Sequence, residues 1–353
     1  MPTSAPSPTI DLRHAIAIGT PKAIDLWLDV VDDPTRRADE LTELSKAEVR
    51  TLAHLLSPEA AADLVDTLDL HVAVDAVRLI PPRAVANMVE VLESDRAAEL
   101  LRELTPTERE SILSLVSGEQ AALLRTLLDW PDESVAAHMV PEVLTVSDQV
   151  SAAEAIEQVR NHRAKLRQDS HIGAYVFAVD AANRLVGVVS FRELVLADAD
   201  RPVTELVEED VITVGPLVDQ EEAARTLTKH RLLAIPVVDE DNHLLGVLTA
   251  DDASDIAQEE ATEDAERQGG SEPLEVPYLR ASPFLLWKKR IVWLLVLFLA
   301  AAYTGTVMQA FEDELEAVVV LAFFIPLLIG TGGNTGTQIT TTIVRAMAVG
   351  EVS

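Results

Sequence analysis

The sequence predicts a multidomain protein with an all-α superhelical N-terminal domain, an α/β module made of two copies of one motif, and an α-helical transmembrane segment. Short helix-like runs near prolines repeat at a spacing of about 24 residues in the first third of the chain. β-branched runs then alternate with helical runs twice, and long uncharged apolar stretches follow residue 290. A chain of 353 residues is also long enough for more than one domain.

The composition is strongly acidic. Lys and Arg total 28 while Asp and Glu total 59, which gives a formal net charge of −31. This balance repels nucleic acid and favours cations, so no nucleic-acid partner is predicted. The absence of cysteine excludes disulfides and thiolate metal sites. Residues 1–10 lack the apolar core of a signal peptide and are predicted to form a disordered leader.

Residues 11–131 are predicted to form the helical superhelix. Pro58, Pro82 and Pro106 each lie near the start of an apolar run with helical spacing, and Ser57 is a predicted N-cap. The phrases LSPEAAADLVDTL, IPPRAVANMVEVL and LTPTERESILSLV resemble one another. Strand-like alternation is absent, and a helical packing or interaction domain is the default interpretation.

The α/β module is an internal repeat. YVFAVDAANRLVGVVSFREL at 175–194 matches AIPVVDEDNHLLGVLTADDA at 234–253, and the first copy carries a longer insert around Asn161–Ser170. Each copy resembles a CBS motif, at 138–198 and 207–257, and a tandem pair folds into one α/β module. CBS modules often hold a nucleotide, and the resemblance implies ATP or AMP as the candidate ligand. Thr249 and Asp252 suit ribose or phosphate contacts, whereas the first copy has Ser190 and Glu193. A pair with only a packing role stays open.

An acidic helix leaves the second CBS copy and leads into a connecting segment at 258–286. At helical spacing one stripe is acidic, with two further carboxylates beside it: Asp252, Asp255, Glu259, Glu263 and Glu266, flanked by Glu260 and Asp264. Neighbouring carboxylates repel by about 1 kcal/mol in water and about 4 kcal/mol at an effective dielectric near 20. The stripe is therefore either a solvated face or a surface that binds cations.

Residues 287–353 are predicted to form part of a transmembrane domain with two spans. The first, at 291–311, carries no charge and is about 31 Å long as a helix. Trp287 and Trp293 suit the membrane interface, and the basic residues from Lys288 to Arg290 place that flank in the cytoplasm. The second span, at 317–344, returns the chain to the same side.

The second span contains polar and flexible residues after Pro326: Gly330, Gly332, Gly333, Asn334, Gly336 and Gln338. Polar or irregular backbone inside a membrane needs partners in the protein or a water-filled cavity. We expect the glycines to expose backbone carbonyls, and a path lined by carbonyl and amide oxygens suits a hard cation. The alternative is an ordinary small-residue packing face between helices.

This order of domains, with LAFFIPLLIGTGGNTGTQ and IVRAMAVGEV, resembles the MgtE family of magnesium channels and transporters from about residue 40 onward. The resemblance implies a homodimer in the lipid bilayer of the cell (inner) membrane, multi-pass, with cytoplasmic N-terminal domains. It also implies that cytoplasmic Mg²⁺ binds between these domains and holds the closed state. The family has five spans, of which two are expected here, so we expect conduction to need the others.

The resemblance assigns roles by position. Gly330, Gly332, Gly333, Asn334 and Gln338 match the family's pore motif, although Thr337 stands where the family commonly has Asn. Its sensor carboxylates, taken together with Glu259 of the stripe, correspond to Asp95, Glu99, Asp219, Glu221, Asp252, Asp255, Glu259, Glu260, Glu263 and Asp264.

The sequence supports two candidate functions, which belong to different functional classes. The first is Mg²⁺ transport with a cytoplasmic Mg²⁺ sensor. The alternative is a membrane-anchored CBS regulatory protein that senses adenine nucleotide and has no ion path. An enzyme is not predicted, because the sequence shows no nucleophile–base arrangement, phosphate loop or HExxH spacing.

Overall fold

A computed structural model of the chain describes residues 11–161, 175–274, 278, 281–318 and 320–348. These residues form two compact units, Met1–Ala257 and Gln258–Ser353, each described below by itself. The predicted leader at 1–10 lies outside the described residues, as does the insert around Asn161–Ser170 beyond its first residue.

The N-terminal region is helical, as the sequence predicts. Its helices are α1 Leu12–Ile18, α2 Pro21–Val30, α3 Pro34–Thr42, α4 Lys46–Leu55, α5 Pro58–Asp66, α6 Leu70–Val77, α7 Pro82–Val89, α8 Ser94–Arg102, α9 Pro106–Leu113 and α10 Gly118–Leu128.

Local sequence sets where these helices begin. The Ser57 hydroxyl accepts the N–H of Ala60 at 3.1 Å, which confirms the predicted N-cap of α5. Ser45 with Glu48 forms a capping box at α4, and a second capping box opens α9. Proline occupies the first helical position at α5, α7 and α9, where its missing N–H is not needed.

From α5 onward the helices stack as a superhelix in which each packs on the helix two positions along the chain, whereas α1 packs mainly on α2. α5 contacts α7, α7 contacts α9, α6 contacts α8, and α8 contacts α10. Their shared core is apolar and includes the fully buried side chains of Trp27, Leu52, Leu100 and Leu124. Burial of such side chains, at about 1.5–3 kcal/mol each, supplies the stability that these short helices lack alone.

The two repeats of the α/β module fold alike. The elements of the first copy are β1 Thr145–Ser147, α11 Ala152–Asn161, β2 Tyr175–Val179, β3 Leu185–Ser190 and α12 Phe191–Leu196. Those of the second are α13 Gln220–His230, β4 Ala234–Val238, β5 Leu244–Thr249 and α14 Ala250–Gln268. β1 runs parallel to β2, whereas β2–β3 and β4–β5 are antiparallel pairs.

The second copy lacks a counterpart of β1, although the β-branched run at Val211–Val214 predicts one. Only Val214 pairs there, as a single parallel bridge to Val237. In the first copy Phe177 N–H donates to the carbonyl of Leu144, but the equivalent residue of β4 is Pro236, which has no N–H, so the ladder cannot extend from Val214 toward Val211.

The second unit contains the membrane-related helices α15 Pro283–Ala310, α16 Glu312–Ala317 and α17 Val320–Ala348. Among the described residues, Pro283–Ala310 is the helix that is long and apolar enough to cross a membrane. It contains the first predicted span. The second predicted span, at 317–344, corresponds to α17 and stays a prediction.

The glycine run does not open the backbone as expected. It lies inside α17, a single helix that also contains Pro326. The carbonyls of the run therefore lie within a continuous helix. The backbone stays helical because glycine costs a helix only about 1 kcal/mol per residue and does not by itself break it. The role of these carbonyls in an ion path stays a prediction.

Candidate functional site

The candidate site lies where the helical domain meets the start of α14. β5 ends at Thr249, whose buried hydroxyl donates a hydrogen bond to the carboxylate of Asp252. The same hydroxyl accepts the N–H of Asp252 at 3.4 Å. These two contacts with the last residue of β5 hold the Asp252 side chain in place in the first turn of α14.

Asp95 of α8 faces Asp252. Its Oδ1 is buried and has no hydrogen-bond partner among the described residues. Burial, the charge of Asp252 and the charge of Glu93, in that order, raise the pKa of Asp95 well above its usual range. Burial also raises the pKa of Asp252 to about 7, helped by Asp251 and opposed by the hydrogen bonds to Thr249. Two carboxylates thus share a site whose electrostatics favour a cation or a proton.

In the structure, the predicted pair Asp95 and Glu99 interacts with different partners. Glu99 accepts a hydrogen bond from Arg96 Nη1 at 2.5 Å, while Asp95 is directed toward Asp252. Asp255 lies one turn further along α14, where burial raises its pKa, Arg96 lowers it and Glu99 raises it again. The predicted carboxylates Asp95, Glu99, Asp252 and Asp255 therefore belong to one junction between α8 and α14.

Asp219 and Glu221 have local structural partners. Asp219 caps α13 by accepting the N–H groups of Glu221 and Glu222, at 2.9 and 3.4 Å. The Glu221 carboxylate forms an ion pair with Arg225. Across the residues that the structure describes, no group of three or more His, Cys, Asp or Glu side chains is placed to hold a metal ion. The prediction that Asp219 and Glu221 bind metal is therefore untested.

The remaining predicted carboxylates, Glu259, Glu260, Glu263 and Asp264, lie on the part of α14 that belongs to the second compact unit. Within that unit Glu263 forms an ion pair with Arg267, one turn ahead. The helix itself is unbroken from Ala250 to Gln268, as the acidic pattern predicts.

The sequence does not predict a row of hydrogen-bonded polar side chains beside Asp95. Ser94 is buried, accepts a hydrogen bond from the Gln120 amide at 3.0 Å and donates one to Glu142. The other carboxylate oxygen of Glu142 is buried without a hydrogen-bond partner among the described residues. Glu142 lies in the segment between the helical domain and β1, outside any repeat or periodic pattern, so no sequence signal identifies it.

The two repeats share one local geometry at the predicted nucleotide positions. Ser190 ends β3 and accepts the N–H of Glu193 at 3.3 Å, as Thr249 does for Asp252 at the end of β5. In the second copy the carboxylate faces Asp95 as well. Asp252 is thus available to two different ligands, a cation at the junction or a nucleotide hydroxyl.

The predicted ion-path residues share one segment of α17. A side-chain carbon added at any of the four glycines would have no neighbouring heavy atom within 4 Å in the described part of the chain: Gly330, Gly332, Gly333 and Gly336. Asn334 and Gln338 are exposed on the same helix. At about 100° per residue these positions are distributed around the helix, and their open surroundings fit an ion path and helix packing equally.

Comparisons with known proteins identify the domains. Residues 32–133 match the family model of the MgtE intracellular N domain, and residues 134–200 and 203–258 match CBS domains. The magnesium transporter MgtE of Thermus thermophilus is 37% identical over 64% of this chain and 50% of its own length. Inosine-5'-monophosphate dehydrogenases also match, but over about a third of the chain, 32% for that of Nitrosopumilus maritimus. That similarity does not make the chain an enzyme.

Solved structures agree with this assignment. The soluble part of a magnesium transporter superposes with a TM-score of 0.61 at 29% identity, over 71% of this chain and 99% of that one. The cytosolic domain of the Mg²⁺ channel MgtE in complex with ATP superposes with a TM-score of 0.62 at 25% identity, over 70% of this chain and 99% of that one. The chain spans about half the length of the curated relatives it matches. Over its N domain and its CBS pair, the chain is similar to magnesium transporters of the MgtE family.

Proposed function

We propose that the chain is the sensing and membrane-entry part of a homodimeric Mg²⁺ transporter of the cell (inner) membrane, gated by cytoplasmic Mg²⁺. One observation carries the sensing role: the Oδ1 atom of Asp95 is buried without a hydrogen-bond partner among the described residues, and the charge of Asp252 acts on this carboxylate. The MgtE names of the relatives support Mg²⁺ as the transported ion. Because the relatives are longer than this chain, transport by these 353 residues is part of the proposal.

The junction suits Mg²⁺ chemically. Mg²⁺ keeps several of its waters and is usually held by one or two carboxylates, so Asp95 and Asp252 suffice as protein ligands. When bound there, the ion supplies the positive charge that the two carboxylates lack. An ion that binds the closed junction alone stabilises it by mass action, and α8 and α14 are then held together. Asp219, Glu221 and the carboxylates at 259–264 are proposed as further ligands, from the resemblance.

A Mg²⁺ titration of the full chain tests the sensor. We expect millimolar Mg²⁺ to raise the melting temperature and to reduce the scattering radius of wild-type protein. Asp95→Asn with Asp252→Asn should remove most of both responses. Asp29→Asn, an exposed carboxylate of α2, serves as the control and should respond as wild type. An unchanged melting temperature across the wild-type titration would refute Mg²⁺ sensing at this junction.

A second experiment tests the ion path. In a chain that carries the family's remaining spans, Gly333→Val and Asn334→Leu should abolish Mg²⁺ uptake while membrane expression is retained. The open surroundings of Gly333 mean that valine creates no clash within the described chain, so a loss of uptake reports on a neighbouring helix or the path itself. Uptake at the unmodified rate in both variants would mean that the glycine run at 330–336 is a packing surface.

A specific observation favours a second candidate, adenine-nucleotide sensing. Thr249 and Asp252 form a hydrogen-bonded pair at the end of β5, and the similar MgtE cytosolic domain was solved in complex with ATP. If nucleotide sensing without an ion path is the function, ATP or AMP should bind tightly and Mg²⁺ should not change that affinity. Equilibrium dialysis with labelled ATP, with and without Mg²⁺, separates the two functions.

A further inference from the structure

Arg96 places a fixed positive charge inside the acidic junction. Its Nη1 contacts Glu99 Oε2 at 2.5 Å, and its Nη2 donates to the carbonyl of Leu68 at 2.5 Å, just beyond the end of α5. Only 19% of the side chain is exposed. Because one end of the fork is held by a carbonyl and the other by a carboxylate, the guanidinium cannot rotate into solvent without breaking both contacts.

The charge of Arg96 reaches across the junction to α14. It interacts favourably with the carboxylate of Asp255, whereas the charge of Glu99 acts on Asp255 in the opposite direction. Arg96 and Glu99 are in contact, so the net charge that this pair presents to the junction depends on both members. Asp95 is the residue directly before Arg96 in α8.

We propose that Arg96 is a built-in counter-ion that sets the Mg²⁺ concentration at which the junction closes. This inference rests on the proposed Mg²⁺ sensing. A guanidinium stays protonated at all physiological pH values, so it neutralises part of the carboxylate charge before any metal binds. The fixed charge supports the closed junction without Mg²⁺ and at the same time weakens the attraction for Mg²⁺. Arg96 therefore lowers the affinity of the junction for Mg²⁺ and raises the stability of the closed junction without Mg²⁺.

Arg109 provides a matched control for the structural part of this role. It too ends on helix carbonyls, with Nε donating to Leu101 at 2.8 Å and Nη2 to Arg102 at 2.7 Å. Loss of either arginine should lower the melting temperature, since each closes the end of a helix. Only the loss of Arg96 should change the response to Mg²⁺.

The test is a Mg²⁺ titration of the full chain, followed by melting temperature and by calorimetry at low temperature. Arg96→Gln should lower the melting temperature without Mg²⁺ and shift the Mg²⁺ midpoint to a concentration at least about fivefold lower. Arg96→Lys should keep the midpoint near that of wild type, because the charge remains. Arg109→Gln should lower the melting temperature with no shift in midpoint.

Glu99→Gln tests the inference in the opposite direction and does not depend on the folding of Arg96→Gln. With its partner neutralised, Arg96 acts with its full charge, so the midpoint should rise by about fivefold. A midpoint unchanged in both Arg96→Gln and Glu99→Gln, with a normal wild-type response, overturns the counter-ion role alone. A wild-type chain that does not respond to Mg²⁺ instead refutes the proposed sensing.

Discussion

Asn183 and Asn242 occupy equivalent turns of the two CBS copies, and each side chain binds the backbone of the other copy. Asn242 Nδ2 donates to the carbonyl of Leu185 at 2.7 Å, and Asn183 Nδ2 approaches the carbonyl of Leu244 at 3.4 Å. The backbones exchange two further hydrogen bonds, Leu185 to Asn242 and Leu244 to Asn183. Both asparagines have left-handed backbone, with φ of 61° and 66°. The turns thus form a twofold clasp between the copies.

The clasp predicts that Asn242→Ala destabilises the module more than Asn242→Gly. Both variants lose the amide hydrogen bond, worth about 1 kcal/mol. Alanine adds a cost of about 1–2 kcal/mol for left-handed backbone, which glycine avoids. Urea unfolding of the three proteins measures these differences. The longer Asn183 contact should cost less on removal, and equal stability of the alanine and glycine variants would contradict the account of the turn.

Gly246 is required because a linker strand passes over β5. Val140 pairs with Val247, and a side-chain carbon at Gly246 would lie 2.7 Å from the Val140 carbonyl oxygen and 2.9 Å from Met139 Sδ. Gly187 is equally enclosed in the first copy, where that carbon would lie 2.4 Å from the Glu208 carbonyl oxygen.

We therefore expect Gly246→Ala to cost about 1–3 kcal/mol of unfolding free energy through overpacking. Gly118→Ala is the control: this glycine opens α10, and the added carbon meets no heavy atom within 4 Å among the described residues. That change should be neutral or stabilising by up to about 1 kcal/mol. Chemical unfolding measures both, and a neutral Gly246→Ala would mean that the linker strand yields easily.

Much of the fold could be predicted because its signals are local. Ser57 and Pro58 mark the start of α5, and the repeat that aligns Gly187 with Gly246 predicts two similar halves. What depends on distant contacts could not be predicted. The i, i+4 spacing of Asp95 and Glu99 predicts one shared site, while the i, i+3 spacing of Arg96 and Glu99 is a local signal for the ion pair that forms. The burial of Asp95 near Asp252, which is distant in the sequence, has no such local signal.

The partly buried carboxylate of Glu40 connects the first helices through hydrogen bonds. It accepts the N–H of Leu12 at 2.9 Å, the indole N–H of Trp27 at 2.8 Å and Arg36 Nε at 2.7 Å. Burial alone raises the pKa of Glu40, but the hydrogen bonds from Leu12, Arg36 and Trp27 outweigh it, and the pKa is lowered from 4.5. The folded state therefore holds the charged form more strongly than the unfolded chain does.

The sign of this shift determines the pH dependence. The stability from Glu40 is fully present above the unfolded pKa near 4.5 and is lost as pH falls through the lower folded value. Glu40→Gln should lower stability at pH 7 by about 1–2 kcal/mol and should flatten the loss below pH 4.5. Thermal melting between pH 3 and pH 7 measures this, with Asp29→Asn as the control. An acid transition of wild-type steepness in Glu40→Gln would contradict the role of Glu40.

Asp252 should produce the opposite pH dependence. Its folded pKa is raised from 3.8 to about 7, mainly by burial. Between these values the folded state holds a proton that the unfolded chain has released, so stability without Mg²⁺ falls as pH rises through this window and levels off above it.

We therefore expect the Mg²⁺-free chain to melt at a lower temperature at pH 8 than at pH 5.5, and Asp252→Asn to reduce this difference. Mg²⁺ binds the charged carboxylates, so its stabilising effect should be larger at pH 8 than at pH 5.5. Melting curves at both pH values, with and without Mg²⁺, provide all four measurements. If Asp252→Asn has the same pH profile as wild type, Asp252 is not the group that holds the proton. An unchanged profile in Asp95→Asn as well would mean that the junction of Asp95 and Asp252 is not the site where protons and Mg²⁺ compete.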